Sequence, residues 1–263
     1  MTEPLALAAR TFEGPADAVP LLVMHGLLGS QRNWQAHGKA LAQARTVHLL
    51  DLRNHGASPW SEVMTYPAMA ADVLAFAERR GLERFYLLGH SMGGKVAMAV
   101  ALTEPEQVVG AVVADIAPVP YAHDYEELIG ALRGLDLSGI TRRAEGDLAL
   151  APVIENSAIR HFVLQNLDFD RDGAPFWKPN LAVLDAEIRA ITGWPAAYDQ
   201  ETYEGPVLAV YGGNSHYVDA AGEAAFRRLM PAVAFEKLEG AGHWLHADHP
   251  RPFLDAVRRF LGD

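Results

Sequence analysis

Ser91 sits at the centre of Gly89-His90-Ser91-Met92-Gly93, a Gly-x-Ser-x-Gly run. Phe85-Tyr86-Leu87-Leu88 before it reads as a buried strand, and Val96 to Leu102 after it reads as a buried helix. That setting makes the run a nucleophile elbow, a tight strand-to-helix turn that pushes its central side chain out of the sheet. The turn forces a strained backbone on Ser91, and a Cβ at Gly89 or Gly93 would crowd it. The chemistry on offer is attack by a hydroxyl on an electrophilic carbon. A hydroxyl is a weak nucleophile until a neighbouring base takes its proton, so the rest of the chain must supply that base.

The base expected is His243, in Gly240-Ala241-Gly242-His243-Trp244 after the last strand, where small residues let a loop approach the elbow. The chain has 11 histidines, and two rivals are close by. His246 and His249 fall at or near the start of the final helix, which fits a solvated or capping role. An oxyanion needs two donors. One is the backbone N–H of Met92, just after the serine; the other is the N–H of Leu27 in His25-Gly26-Leu27-Leu28-Gly29, after an early strand.

The acid that fixes the base is less direct. The loop after the strand Pro206 to Tyr211 reads Gly212-Gly213-Asn214-Ser215-His216-Tyr217-Val218, and Ser215 stands where a Gly-x-x-Asp pattern would place an aspartate. Two carboxylates can substitute. Asp115 ends the strand Val108 to Ala114, and Asp219 follows the serine slot but has the look of a helix N-cap. Asp115 is favoured, because strand ends on one edge of a parallel sheet converge on the same crevice. Ser215 is then placed to hydrogen-bond within that network.

Three other residues are read mainly as structural. Arg53, in Asp51-Leu52-Arg53-Asn54-His55-Gly56, could bind a substrate carboxylate or phosphate, but fits better as an arginine paired with nearby carbonyls or acids. Trp34 reads as core, and Lys95, one helical turn past Ser91, as structural or solvated. No His, Asp or Glu spacing matches a metal site, and no glycine-rich phosphate loop follows the first strand. The expected chemistry needs neither metal nor cofactor.

Positioning these residues takes a sheet. Val19 to Met24, Thr46 to Leu52, Arg84 to Leu88, Val108 to Ala114, Pro206 to Tyr211 and Ala232 to Leu238 are apolar runs of strand length. Helices are expected over Gln31 to Ala44, Tyr66 to Arg80 (Met69, Val73 and Phe76 on one stripe) and Arg251 to Leu261 (Phe253, Val257 and Phe260 inward). Apolar strands alternating with helices imply an α/β fold with a mostly parallel central sheet, covered by helices on both faces. The stretch from Pro118 to Tyr198 breaks the rhythm, with helical patterning and no clear strand. The expected division is a core of residues 1–117 and 199–263, with a helical cap inserted at 118–198. The cap's Tyr121, Tyr125, Phe162, Phe169, Phe176, Trp177 and Trp194 could roof an apolar pocket or fasten the cap to the core.

Composition narrows the partners. With 33 acidic and 22 basic residues the net charge is −11, which argues against nucleic acid and against an anionic membrane surface. The absence of cysteine excludes thiol nucleophiles, thiolate metal sites and disulfides together. No secretory signal stands at Met1 to Arg10, and no apolar run reaches membrane-span length, so a cytoplasmic protein is expected. Oligomeric state leaves no mark in the sequence.

Taken in order, several segments resemble the α/β-hydrolase superfamily, and more narrowly the YbfF-type bacterial esterases. They are His25 to Ser30, Asp51 to Ser58 (DLRNHGAS), Tyr66 to Ala70, Gly89 to Met98 (GHSMGGKVAM), Asp115 to Val119, Gly212 to Val218 (GGNSHYV) and Gly240 to His246 (GAGHWLH). The resemblance implies an α/β-hydrolase fold and a serine hydrolase of small acyl esters and acyl thioesters, with acyl-coenzyme A species among plausible substrates. It also implies Ser91 as nucleophile, His243 as base, Asp115 as acid and Ser215 as accessory serine. It is weakest over the cap. Two further readings use the same residues: a C–C bond hydrolase or perhydrolase on the same triad, and a non-enzymatic ligand receptor on a hydrolase scaffold.

Overall fold

The computed structural model describes residues 3–122 and 125–263. Seven strands form one sheet: β1 (Ala9–Phe12), β2 (Leu21–Met24), β3 (Val47–Leu50), β4 (Phe85–His90), β5 (Val108–Ala114), and, after a two-stranded hairpin of β6 (Leu167–Phe169) and β7 (Pro175–Trp177), β8 (Val207–Gly212) and β9 (Val233–Leu238). The sheet order is β1-β3-β2-β4-β5-β8-β9. Every pairing is parallel except β1 with β3. The mostly parallel sheet expected from the apolar runs is therefore present, with an antiparallel strand added at one edge.

Alternation along each strand divides the core between the two faces. Leu22, Met24, Leu87, Ala111 and Val113 point to one side, where α2 (Tyr66–Arg79) and α3 (Met92–Thr103) pack. Leu21, Val23, Leu88, Val112 and Val210 point to the other, against Trp34 and the Phe253, Val257 and Leu261 stripe of the last helix (Pro250–Leu261). The central strands are buried on both faces, which is why they read as unbroken apolar runs. Residues Met92 to Leu102 of α3 are all buried, because the sheet lies on one side of the helix and α2 and the inserted segment on others.

Some element limits differ from the sequence reading. The stretch expected as one helix from Gln31 to Ala44 is a 3-10 turn over Gln31–Trp34, capped by Ser30, followed by a short helix, α1 (Gln35–Leu41). The strand before the elbow runs two residues further than expected, to His90. The segment between β5 and β8 holds helices Tyr125–Gly134, Arg143–Leu150, Ser157–Leu164, Leu181–Ala186 and Ile188–Thr192, and also the β6–β7 hairpin, which corrects the expectation of no strand there. With three residues per strand, that hairpin is too short to leave an alternation pattern. Among the described residues, no helix is long and apolar enough to cross a membrane.

Sheet order fixes where a site can form. From β2 the chain steps to β3 on one side, and after α2 it crosses to β4 on β2's other side. The crevice opened at such a reversal, beyond the carboxyl ends of the strands, is the ligand position in open α/β sheets. The segments after β2, β4, β5, β8 and β9 carry Leu27, Ser91, Asp115, Ser215 and His243 respectively.

Candidate active site

Ser91 adopts φ 53° and ψ −121°, in the left-handed half of backbone space that side chains other than glycine rarely enter. Its neighbours enforce this. A Cβ on Gly89 would overlap the Gly93 carbonyl, and one on Gly93 would run into the carbonyls of Met24, the last residue of β2, and of His25 after it. The Ser91 N–H donates to the Ala114 carbonyl (2.9 Å), which ties the turn to β5. Ser91 is the N-cap of α3, where the first amides have no intrahelical acceptor. Met92 supplies the first of them.

Asp115 follows β5, also with positive φ (52°), and is fully buried. Its carboxylate accepts three hydrogen bonds. The Gly212 N–H donates to Oδ1 (2.9 Å), while the Ser215 hydroxyl (2.5 Å) and His243 Nδ1 (2.7 Å) donate to Oδ2. Asp115, Ser215 and His243 thus meet as expected. Asp219 lies outside this group: it caps the helix Ala220–Leu229 through the Gly222 N–H (2.8 Å).

Because Nδ1 of His243 faces a carboxylate, that nitrogen carries the proton in the neutral ring, and Nε2 is the basic one. Ser91 and His243 line one cavity of about 840 Å³. His90, beside the serine, donates from Nε2 to the His243 carbonyl (2.8 Å) and so holds the two loops together. Tyr217 lies flat on the His243 ring, with centroids 3.9 Å apart and planes 16° from parallel. Neither His90 nor Tyr217 was singled out from sequence. The only available signal was their position, one inside the elbow and the other two residues past Ser215.

The loop after β2 lies against the serine. A Cβ on Gly26 would stand 3.2 Å from Ser91 Cβ. Two buried histidines fix that loop. His25 donates from Nδ1 to the Gly26 carbonyl (2.8 Å) and accepts the Leu52 N–H at Nε2 (3.0 Å). His55 donates from Nδ1 to the Arg53 carbonyl (2.9 Å) and accepts the Leu28 N–H at Nε2 (3.1 Å). Each ring needs one bare nitrogen for this. Burial lowers both pKa values, that of His55 to about 3, which keeps the rings neutral. The Leu28 amide is engaged in this way, and Leu27 lines a small cavity together with Ser91.

The other candidates resolve as follows. Arg53 is buried away from the cavity, bidentate to buried Asp72 (2.7 and 2.8 Å) and bonded to the Val63 and Ala68 carbonyls, the structural role expected. Trp34 is core, as expected, and stacks on His246 (4.5 Å). His246 is buried, not solvated, which corrects the sequence reading; burial lowers its pKa to about 3. His249 occupies the N-cap of the last helix without a side-chain capping bond. Lys95 is buried and structural, donating to the Thr192 (2.9 Å) and Gly193 (2.6 Å) carbonyls at the end of helix Ile188–Thr192. Burial lowers its pKa to about 7. Of the seven aromatics named in the inserted segment, Tyr125 and Phe162 line the large cavity. Tyr121, Phe169, Trp177 and Trp194 pack on the core cluster, and Phe176 is exposed.

Known proteins match this architecture along almost its whole length. Residues 19–250 match the family described as alpha/beta hydrolase fold. The chain is 37% identical to the sn-1-specific diacylglycerol lipase ABHD11 of Xenopus tropicalis, over 99% of this chain and 83% of that one. It is 31% identical to Esterase YbfF of Escherichia coli (strain K12), over 98% of this chain and 99% of that one. A solved structure titled "Marine microorganism esterase" superposes with a TM-score of 0.93 at 34% identity, covering 97% of this chain and 99% of that one. A nucleophile-elbow serine on an open α/β sheet and these matches agree: the chain belongs to the α/β-hydrolase fold family, alongside YbfF-type esterases.

Proposed function

We propose that the protein is a serine carboxylic ester hydrolase in which Ser91, His243 and Asp115 form the catalytic triad. The observation that carries this reading is the 2.7 Å bond from His243 Nδ1 to buried Asp115, on the rim of the cavity that also exposes the strained Ser91 elbow. His243 Nε2 takes the Ser91 proton as the oxygen attacks the ester carbonyl. The carbonyl oxygen, now negative, is held by the Leu27 and Met92 amides. His243 returns the proton to the leaving alcohol, which departs and leaves an acyl-serine. Water then enters, His243 takes one of its protons, and collapse of the second tetrahedral species releases the acid and restores Ser91. Asp115 keeps Nδ1 protonated and favours the transient imidazolium. Ser215, bonded to the same carboxylate oxygen, is an accessory to that arrangement.

Shape and charge support a narrower reading of the substrate. Ser91, Leu27, Tyr125 and Tyr217 stand between two compartments. One is the 840 Å³ cavity, with Leu28, Leu128, Ile154, Ile159 and Phe162 among its walls. The other is about 20 Å³, closed by Tyr66, Lys95, Tyr121 and Ile191. Among the described residues, no lysine or arginine lines the large cavity, whereas Glu127 and Asp248 do. A polyphosphate carrier such as coenzyme A would meet carboxylates there without cationic partners. The arrangement favours a neutral ester with one long apolar arm and one short arm, over an acyl-coenzyme A thioester.

The test is a matched panel of neutral esters assayed without added cofactor. Methyl octanoate and octyl acetate present one long arm each, in opposite senses, and octyl octanoate presents two. The expected result is turnover of at least one single-long-arm ester, with kcat/KM at least about 100-fold lower for octyl octanoate, the scale set by forcing several methylenes out of a closed pocket. Equal turnover of all three would contradict the two-compartment reading. No turnover of any neutral ester would contradict the hydrolase reading itself.

A further inference from the structure

The His243 ring is held by more than Asp115. Tyr217 covers one of its faces in a parallel stack, and Tyr217 is itself unusually well fixed. Its N–H donates to Ser215 Oγ (3.3 Å), the same hydroxyl that donates to Asp115. Its carbonyl accepts from the Tyr121 hydroxyl (2.5 Å), which in turn accepts the Ala117 N–H (2.8 Å), two residues past Asp115. Its hydroxyl lies 2.8 Å from that of Tyr125, at the start of helix Tyr125–Gly134 in the inserted segment. Backbone and ring are thus pinned at three points around the acid and the base.

We propose that Tyr217 is a positioning residue for His243: its ring fixes the plane of the imidazole and stabilises the imidazolium through its π face, and Tyr125 ties that ring to the inserted segment. The proposal rests on the triad reading above. Its physical basis is the attraction of a cation to the negative face of an aromatic ring, which a neutral imidazole feels less strongly. Stacking therefore favours the protonated ring that forms as Ser91 attacks.

Other groups around His243 do not obscure this. Asp115 at the end of β5 is its hydrogen-bond partner, and Ser91 follows β4. His90 of β4 (centroids 4.8 Å) is pushed well below the usual histidine range by burial, and His246 from the helix Leu245–Asp248 to about 3. Both stay neutral across the assay range. The Tyr217 hydroxyl is pushed far up by burial and stays protonated. Glu127 and His161 of the inserted segment and Asp248 line the same cavity and are unchanged in every variant compared.

The test compares Tyr217→Leu, Tyr217→Phe and replacement of Tyr217 by pentafluorophenylalanine, which keeps a flat ring but reverses the sign of its face. For each, kcat, KM and the pH profile of kcat/KM are measured on one neutral ester, with Tm recorded. For Tyr217→Leu we expect a fall in kcat of about tenfold, KM within about twofold, and an acid limb moved to lower pH by about half to one unit, because the protonated ring loses its stabilising face. Tyr217→Phe keeps the stack and is expected to keep the wild-type acid limb. The fluorinated ring is expected to move the limb to lower pH without a loss of packing, and it decides the matter if the leucine variant does not fold. An acid limb unmoved in the fluorinated variant would overturn the proposal. A Ser91→Ala protein that still turned over would overturn the triad reading instead, so the two failures are distinguishable.

Discussion

Ser91→Ala is expected to lower kcat for ester hydrolysis by about 10⁶-fold, the scale on which serine hydrolases lose turnover when the nucleophile goes. The fold should be untouched. The strain at Ser91 comes from carrying a Cβ at φ 53°, and alanine carries the same Cβ in the same turn. Tm should therefore stay close to wild type, with a stability change within about 0.5 kcal/mol. Residual activity above water of about 10³-fold is compatible with the account, because the Leu27 and Met92 amides and the cavity remain. Activity within tenfold of wild type would mean that another group performs the attack.

Asp115→Asn should cost about 10⁴-fold in kcat. The hydrogen bonds say why. Oδ1 must go on accepting the Gly212 N–H, which places the amide nitrogen where Oδ2 now accepts from both Ser215 and His243. That nitrogen can only donate. His243 Nδ1 must then become an acceptor, its proton moves to Nε2, and the nitrogen proposed to deprotonate Ser91 is no longer a base. Asp219→Ala is the contrasting variant. It removes the cap on helix Ala220–Leu229 and should cost about 1 kcal/mol in urea unfolding while turnover stays near wild type. The reverse pattern, with turnover lost at 219 and kept at 115, would reassign the acid.

Most of the arrangement was legible because it is written in local pattern. Strands buried on both faces leave unbroken apolar runs, and the elbow needs glycines at fixed places, so β2, β4, β5 and Ser91 could be located from residue types alone. Asp115 followed from an absence, since Ser215 occupies the slot where an aspartate would stand. In the structure the two side chains meet, the Ser215 hydroxyl donating to the Asp115 carboxylate. What was not legible depends on contacts between distant segments. β1 is four residues at an edge, three half-buried and one exposed, with too little burial to leave a pattern. His246 looked solvated because it lies next to a helix start, yet Trp34, some two hundred residues away, covers it. Tyr217 gave no signal beyond its place two residues past Ser215, since stacking on His243 is a property of two loops that meet only when β8 and β9 lie side by side.

The central claim is that Ser91 is an activated nucleophile, and reaction with a fluorophosphonate tests it most directly. Intact-mass and peptide mass spectrometry after incubation should find one phosphonyl adduct per chain, on Ser91, and none in Ser91→Ala. An unmodified Ser91 in the folded wild-type protein, or an adduct carried on another residue, would contradict the account.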